Sequence, residues 1–429
     1  MTKPKVVVVG GGFAGVAAAV AASKAGAQAT LLERTDLLAG AGLRAGRMNY
    51  NGKFVGAEEA KALGGGEVFE ALESIILHRA NIVDEENGYV YDCARVDVTM
   101  RRLLAAWGVS LRMEARAADV KKKGALVESV TLDSGEVIEA DAFVDASGYR
   151  GGLDICTQYG NGCCMCLYRC VTFGNRVSIA TKAGAPELMR IRPDGTPGST
   201  SSATMLYKAS LAPELKERLE REGAVMIPLP KELVDYGKQQ RIGAVRSRRQ
   251  MENINLVDIG LSAKCVGSGA MTLDYIRKVP GLESALIEHP MGAGKRYVVS
   301  EVSMTPRELS LQVQNYPNIF VAGGKAGPGG GIAEVITFGI LAGNNAARKA
   351  AGRELLVLPR TTLIGDFIAY TGEMMKDQAN LTKGYSYAHD VYFKRLNDLG
   401  FYTTDAKPIH QRVNKLGLTN LLAEKVARQ

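Results

Sequence analysis

The sequence predicts an α/β fold made of a discontinuous Rossmann-like nucleotide-binding domain, an inserted α+β second domain and a C-terminal helical region. Three observations predict it. Val6-Val7-Val8-Val9 is a β-branched run suited to a parallel strand covered on both faces. Gly10, Gly12 and Gly15 follow at the spacing G-x-G-x-x-G and open an alanine-rich helical run, Val16 to Ala22. A second strand, Ala29-Thr30-Leu31-Leu32, then ends in Glu33, about twenty residues beyond Gly10.

Each glycine has a separate task. The first permits the sharp turn, the second lets a pyrophosphate approach the backbone, and the third lets the helix lie close to the strand. The helix N-terminus holds the phosphates, and Glu33 is placed to accept hydrogen bonds from the adenosine ribose.

The chain has 429 residues, enough for two or three domains, with 46% hydrophobic and 23% charged side chains. A net charge of +8 and a pI near 9.0 suit RNA, anionic cofactors or small acids equally. A single tryptophan, Trp107, among 6% aromatics gives little support for a base-stacking platform. Lys3 and Lys5 precede an apolar run, but that run carries the glycine fingerprint, and no stretch reaches the ~20 apolar residues of a spanning helix. The expectation is a cytoplasmic protein without membrane contact. The four histidines, His78, His289, His389 and His410, stand in no nucleophile or metal-ligand spacing, so Ser-His-Asp hydrolysis and histidine-metal catalysis have no support.

In chain order, the glycine-bearing stretch 35–90 reads as a loop and helix excursion at the cofactor's edge. Asp97 to Trp107 reads as a helix and Val109 to Met113 as the next strand. Val127 to Leu132 and Val137 to Ala140 flank Asp133-Ser134-Gly135 as a hairpin, which leads into the strand from Ala142. Downstream, Asn318 to Gly324 is a strand ending in glycines. Gly327 to Gly331 is glycine-rich, and Ile332 to Ala350 is a helix whose Gly339 and Gly343 permit close packing. The fingerprint occurs complete once, so a separate NAD(P)H domain is not expected.

The strand ending Asp145-Ala146-Ser147-Gly148 resembles that of the two-dinucleotide-binding-domain flavoproteins, which usually carry Ala-Thr-Gly there. Val279-Pro280-Gly281-Leu282-Glu283, Pro317-Asn318-Ile319-Phe320-Val321-Ala322-Gly323-Gly324 and Gly339-Ile340-Leu341-Ala342-Gly343-Asn344-Asn345 are similar to the glucose-inhibited division A family. That family includes flavin-dependent tRNA wobble-uridine modifiers and folate- and flavin-dependent tRNA uracil methyltransferases. The resemblance covers both halves of the flavin domain. It implies FAD, contacted by Gly10, Gly12, Phe13, Ala14, Gly15, Glu33 and Arg34, by Val120, and by Ala146, Ser147 and Gly148. It adds Gly323, Gly324, Gly330, Gly331 and Ile332 at the ribityl chain and ring. The tRNA enzymes use a cysteine soon after the first βαβ unit, whereas Leu37 to Phe54 contains none.

The cysteines cluster elsewhere. Cys163-x-x-Cys166-x-x-x-Cys170, with Cys156 before it, offers four thiolates on a glycine-containing segment, as a 4Fe-4S cluster requires. Zinc, a redox dithiol, or thiols with no shared ligand are the alternatives. Cys265, followed by Gly267-Ser268-Gly269, is a candidate catalytic thiol. Lys325 is a candidate cation for reduced flavin and Glu334 a candidate proton relay. The basic strip 231–249 would hold RNA phosphates, of tRNA or rRNA, or a polyglutamylated folate, or form a solvated face.

The expected organisation is a FAD-binding domain over 1–150 and 301–352, a cysteine-rich substrate domain over 151–300, and helices over 353–429. The expected activity is an FAD-dependent oxidoreductase coupled to an iron–sulfur cluster, acting on a small molecule. An RNA uridine-modifying enzyme and an electron-carrier or assembly subunit, in a homo-oligomer, are the alternatives. The electron donor is not written in the sequence.

Overall fold

In the computed structural model, residues 3–48, 51–82, 85–148, 169–189, 199–200, 203–234, 252–266, 273–289, 299–300, 303–329, 331–381, 383, 385–388 and 390–426 are described. The valine run forms strand β1 (Lys5–Val9), and its apolar side chains are buried on both faces. Around it a parallel sheet assembles from β2 (Gln28–Leu32), β3 (Ser110–Arg112), β4 (Ala142–Asp145) and β5 (Ile319–Val321), in the order β5-β4-β1-β2-β3. The fifth strand comes from the far end of the chain, so the domain is discontinuous.

Helix α1 (Phe13–Lys24) crosses from β1 to β2, and helix α2 (Ile332–Ala350) packs along it. Small residues make that packing close. A Cβ on Gly339 would stand 2.2 Å from the Ala14 carbonyl oxygen, and one on Gly343 would stand 2.0 Å from that of Ala18. The two glycines are therefore a helix–helix joint. The expected hairpin is present as Leu126–Leu132 against Val137–Glu139, with Ala117–Lys123 as a third strand.

The excursion carries more strand than its composition suggests. Helix Asn51–Ala62 is accompanied by Arg47–Met48, Ile76–Ile82 and Glu85–Tyr91, which pair antiparallel. This sheet docks on a second, antiparallel one formed by Ala203–Tyr207, Ala224–Pro228, Asn253–Asp258, Ser262–Val266 and Ile287–His289. The junction is polar: His78 Nε2 lies 3.0 Å from Asp258 Oδ2, and Lys264 Nζ donates to the Ala45 carbonyl. The second unit is thus assembled with residues from before position 92 as well as those after 151. It keeps its own apolar core, including Leu206, Leu219, Ile254, Leu256 and Ile276.

The C-terminal part is helical as expected, with helices Leu363–Met374, Asp390–Asp398 and Ala406–Lys415. Its aromatic cluster of Phe367, Tyr387 and Tyr392 packs edge-to-face with ring centroids 4.7 Å apart for both Phe367 pairs. Among the described residues no helix is long and apolar enough to cross a membrane.

Candidate cofactor cleft

The glycine turn lies at the carboxyl end of β1, where an open parallel sheet forms its crevice. The three glycines do different things there. Gly10 has φ +107°, and a Cβ on it would stand 2.5 Å from the Ala146 carbonyl oxygen. A Cβ on Gly15 would stand 1.8 Å from the Gly10 carbonyl oxygen, so only glycine lets α1 sit this close to β1. Gly12 is unlike either: its φ is an ordinary −66°, and a Cβ there would meet nothing within 4 Å. No protein atom requires glycine at that position. The space in front of it opens into a cavity of about 300 Å³.

Two helix N-termini face this cavity. Gly12 caps α1 and Gly331 caps α2 without a side-chain hydrogen bond in either case, and Gly12, Phe13, Gly331 and Ile332 all line the cavity. Each terminus presents backbone N–H groups and the positive end of a helix dipole to whatever anion enters. Glu33 closes the turn from below. Its Oε2 accepts the Gly11 N–H at 2.7 Å and its Oε1 the Thr35 N–H at 2.8 Å, so the carboxylate braces the glycine loop from the end of β2.

The opposite wall is β4 and its extension. Asp145 is fully buried, and its carboxylate accepts from the Ser147 hydroxyl at 2.6 Å, the Ser178 hydroxyl at 2.5 Å and the Ala180 N–H at 3.0 Å. That network holds Ala146, Ser147 and Gly148 along the cavity and ties them to the helix Ile179–Ala183 behind it. Arginines gather along one side: Arg34, Arg116, Arg169 and Arg176 line the cavity. Burial pulls the Arg34 guanidinium below its ordinary value, and Arg34 donates to the Gly174 carbonyl at 2.6 Å. Arg169 is ion-paired with Asp36.

The expected cofactor residues largely meet here. Gly10, Gly12, Phe13, Ala14, Glu33 and Arg34 line the cavity, as do Gly323 and Gly324 from the turn after β5. Gly15 stands behind, as a packing glycine. Val120 does not reach the cavity; it is paired with Val130 in the three-stranded sheet, and Ala115, Arg116 and Ala117 take the place expected for it. Gly330 lies outside the described residues. The loop Ala39 to Leu43 and the segment Arg176–Val177 also line the cavity. No sequence pattern marks them, because tertiary packing alone brings them in.

The three catalytic candidates are placed differently from expectation. Lys325 follows the wall residue Gly324 but is fully buried, and its ammonium is paired with Glu187 behind the wall. Glu334 turns back to its own helix start: Oε1 accepts the Tyr387 N–H at 2.5 Å, and Oε2 lies 2.1 Å from where a Gly331 Cβ would be. Cys265 is fully buried in the apolar core of the second sheet, as a packed small residue. Cys156, Cys163 and Cys166 lie outside the described residues, as do most of the basic residues of 231–249. Cys170 opens a short helical segment, Cys170–Phe173, within electrostatic reach of Arg34. Among the described residues no three metal-ligating side chains come together.

The two halves of this site match two family descriptions. Residues 5–151 match that of FAD dependent oxidoreductases, and residues 262–354 match that of Glucose inhibited division protein A. In these two segments the chain resembles the GidA/TrmFO-like FAD-dependent oxidoreductases. It is similar to the methylenetetrahydrofolate–tRNA-(uracil-5-)-methyltransferase TrmFO of Caldicellulosiruptor bescii, 36% identical over 110 residues, 25% of this chain and 24% of that one. The enzyme of the same name from Pelotomaculum thermopropionicum is 28% identical over 183 residues, 38% of this chain and 41% of that one. The match to the first of these relatives thus spans about a quarter of their length. The fold of this GidA/TrmFO-like chain is that of Aquifex aeolicus GidA, with a TM-score of 0.68, 18% identity, and coverage of 98% of this chain and 74% of that one.

Proposed function

We infer that this chain binds FAD in the cleft between α1, β4 and the turn after β5, and uses it for two-electron redox chemistry. The observation that carries this reading is Gly12. It is the one fingerprint glycine that no protein contact explains, and it stands at an uncapped helix N-terminus in front of an open cavity. The pyrophosphate would lie against Gly12 and Phe13, the ribose hydroxyls at Glu33, and the adenosine among Ala115, Arg116 and Ala117. The ring end would lie toward Gly323, Gly324 and the start of α2.

When bound, FAD supplies hydride or single-electron transfer; the protein supplies binding, orientation and electrostatics. Asp145 holds the Ala146–Gly148 wall rigid. The α2 N-terminus favours negative charge at the ring end. Anaerobic purification with an absorption spectrum, and identification of the nucleotide released on denaturation, tests this reading. The expected result is one FAD per chain; a preparation reconstituted with FAD that retains none after desalting would refute it.

A uridine-modifying activity on tRNA is the second reading, favoured by the names of the curated relatives, which act with methylenetetrahydrofolate on tRNA uracil. Incubating the holoprotein with methylenetetrahydrofolate, a reductant and unmodified tRNA should then yield 5-methyluridine. The cysteine run from Cys156 to Cys170 keeps its reading as a 4Fe-4S ligand set on spacing alone. Iron and acid-labile sulfide, lost together in Cys163→Ala while FAD is retained, is the expected result; holoprotein without iron would overturn it.

A further inference from the structure

A wall a single chain thick closes one side of the cleft. Residues 174–178 are neither helix nor strand; Asn175 is exposed to solvent, while its neighbours Arg176 and Val177 line the cavity. This strap is fixed at its downstream end, where the Ser178 hydroxyl and the Ala180 N–H donate to the buried Asp145 carboxylate. Upstream of Ser178 it is held by arginine side chains that reach across from other walls. Arg34, just past the end of β2, donates to the Gly174 carbonyl at 2.6 Å, and Arg116 Nε donates to the Asn175 carbonyl at 2.6 Å. Beyond them Arg169 pairs with Asp36 on the exposed rim, and its guanidinium lies 4.8 Å from the centroid of the Phe173 ring.

The docked strap also carries backbone strain. Gly174 has φ +70° and ψ 175°, a region that essentially only glycine enters, and a Cβ there would stand 3.1 Å from Arg116 Nε. Arg169, at the other end of the single helical turn Cys170–Phe173, is a non-glycine residue at φ +47°. Lifting the strap gives up the two arginine bonds and regains this backbone freedom, so the two effects oppose each other. The other walls have no such release. The Ala39 N–H donates to the Gly11 carbonyl at 2.8 Å, and a Cβ on Gly42 of the same loop would stand 2.2 Å from the Phe13 ring. The Ala322 N–H donates to the Asp145 carbonyl at 2.9 Å, which ties the Gly323–Gly324 turn to the parallel sheet.

We propose that the strap 174–177 is a gate that admits and releases the adenosine end of FAD, hinged at Ser178 and latched by Arg34 and Arg116. The proposal rests on the FAD reading above, which sets the adenosine beside Arg116. As latches, Arg34 and Arg116 are positioning residues that act on the cofactor through the strap carbonyls. A gate controls rates rather than affinity. Where the docked strap is weakened equally with and without cofactor, the lifted population rises in both states, and association and dissociation quicken by the same factor. A wall that only touches the cofactor behaves otherwise: weakening it speeds dissociation alone.

The test is stopped-flow flavin fluorescence, which follows FAD association with the apoprotein and FAD release from the diluted holoprotein, for wild type, Gly174→Ala and Asp36→Asn. Gly174 is not among the residues that line the cavity, so its substitution strains the docked strap without altering the cofactor's own contacts. Gly174→Ala should raise both rate constants about tenfold and leave Kd within about threefold of wild type. Asp36→Asn, on the exposed rim, frees Arg169 and should raise both rates by a smaller factor, about twofold. It carries the test if Gly174→Ala fails to fold. Wild-type rates in the folded variants would overturn the proposal, since the strap would then lie off the cofactor's path. Faster dissociation with unchanged association would also overturn it, as the signature of an ordinary wall. Wild-type protein that holds no FAD after reconstitution would refute the parent reading instead, so the two failures are distinguishable.

Discussion

Gly12 and Gly15 are two glycines of one motif held by different forces, and their substitution separates cofactor binding from folding. Gly12→Ala places a methyl group where nothing lies within 4 Å and where φ is already −66°, so thermal stability should stay at the wild-type value. FAD affinity should fall about tenfold or more, because the methyl group occupies the path by which phosphate reaches the backbone. Gly15→Ala drives a methyl group to 1.8 Å from the Gly10 carbonyl oxygen and should cost about 1–3 kcal/mol of stability. Thermal unfolding of the apoproteins beside FAD titration checks both. Glu33 teaches the same lesson: its position near the ribose is readable from spacing, while its hold on the Gly11 and Thr35 N–H groups is visible only in the fold.

Helices α1 and α2 form the element on which the cleft depends, since both of the helix N-termini that line it belong to them. Their contact is backbone to backbone at Gly339 and Gly343, and α1 is buried on nearly every side. Gly339→Ala and Gly343→Ala should each lower stability by about 1–3 kcal/mol and weaken FAD binding together, since separating the helices splays both termini. A variant that lost stability but kept wild-type FAD affinity would show that the termini are held by the sheet alone. Arg307 is the corresponding tie for the wall turn. Buried, it donates to Ala326 on one side and to the Ile368 carbonyl at 2.9 Å and the Thr371 hydroxyl at 3.1 Å on the other. Arg307→Met leaves those acceptors unpaired and should cost about 1–3 kcal/mol, measured by denaturant unfolding.

At the scale of the molecule, one buried carboxylate joins the nucleotide-binding half to the C-terminal helices. Glu59, on the helix Asn51–Ala62, accepts the Leu363 N–H at 3.0 Å, the Ile364 N–H at 2.8 Å and Arg412 at 3.2 Å. Burial nevertheless raises it above the ordinary 4.5. The folded protein then binds this proton more tightly than the unfolded chain. Its contribution is complete below pH 4.5 and is lost as pH rises toward the folded value. Wild-type melting temperature should carry this downward component with rising pH, and Glu59→Gln should remove it. A variant with an unchanged pH profile would show that Glu59 is not its source.

What the sequence determined by itself is the local part of this protein. The strand, glycine turn and helix at Val6–Ala22, the acidic end at Glu33, the hairpin around Asp133–Gly135 and the helix Ile332–Ala350 are written in short-range spacing and propensity, and the fold contains each of them. Such features are legible because the residues that dictate them are neighbours in the chain. The composition of 35–90, by contrast, hides a three-stranded sheet, since those strands are stabilised by pairing and by docking on Asn253–Asp258 rather than by their own pattern. Only the tertiary structure decided the side-chain roles at the cleft. Lys325 and Glu334 lie on the predicted stretch yet turn away from the cavity, because Glu187 and the backbone of Tyr387 offer buried charges partners that the cavity wall does not. A partner 138 or 53 residues away leaves no trace in local spacing, so which way a buried charge points is settled by long-range packing alone.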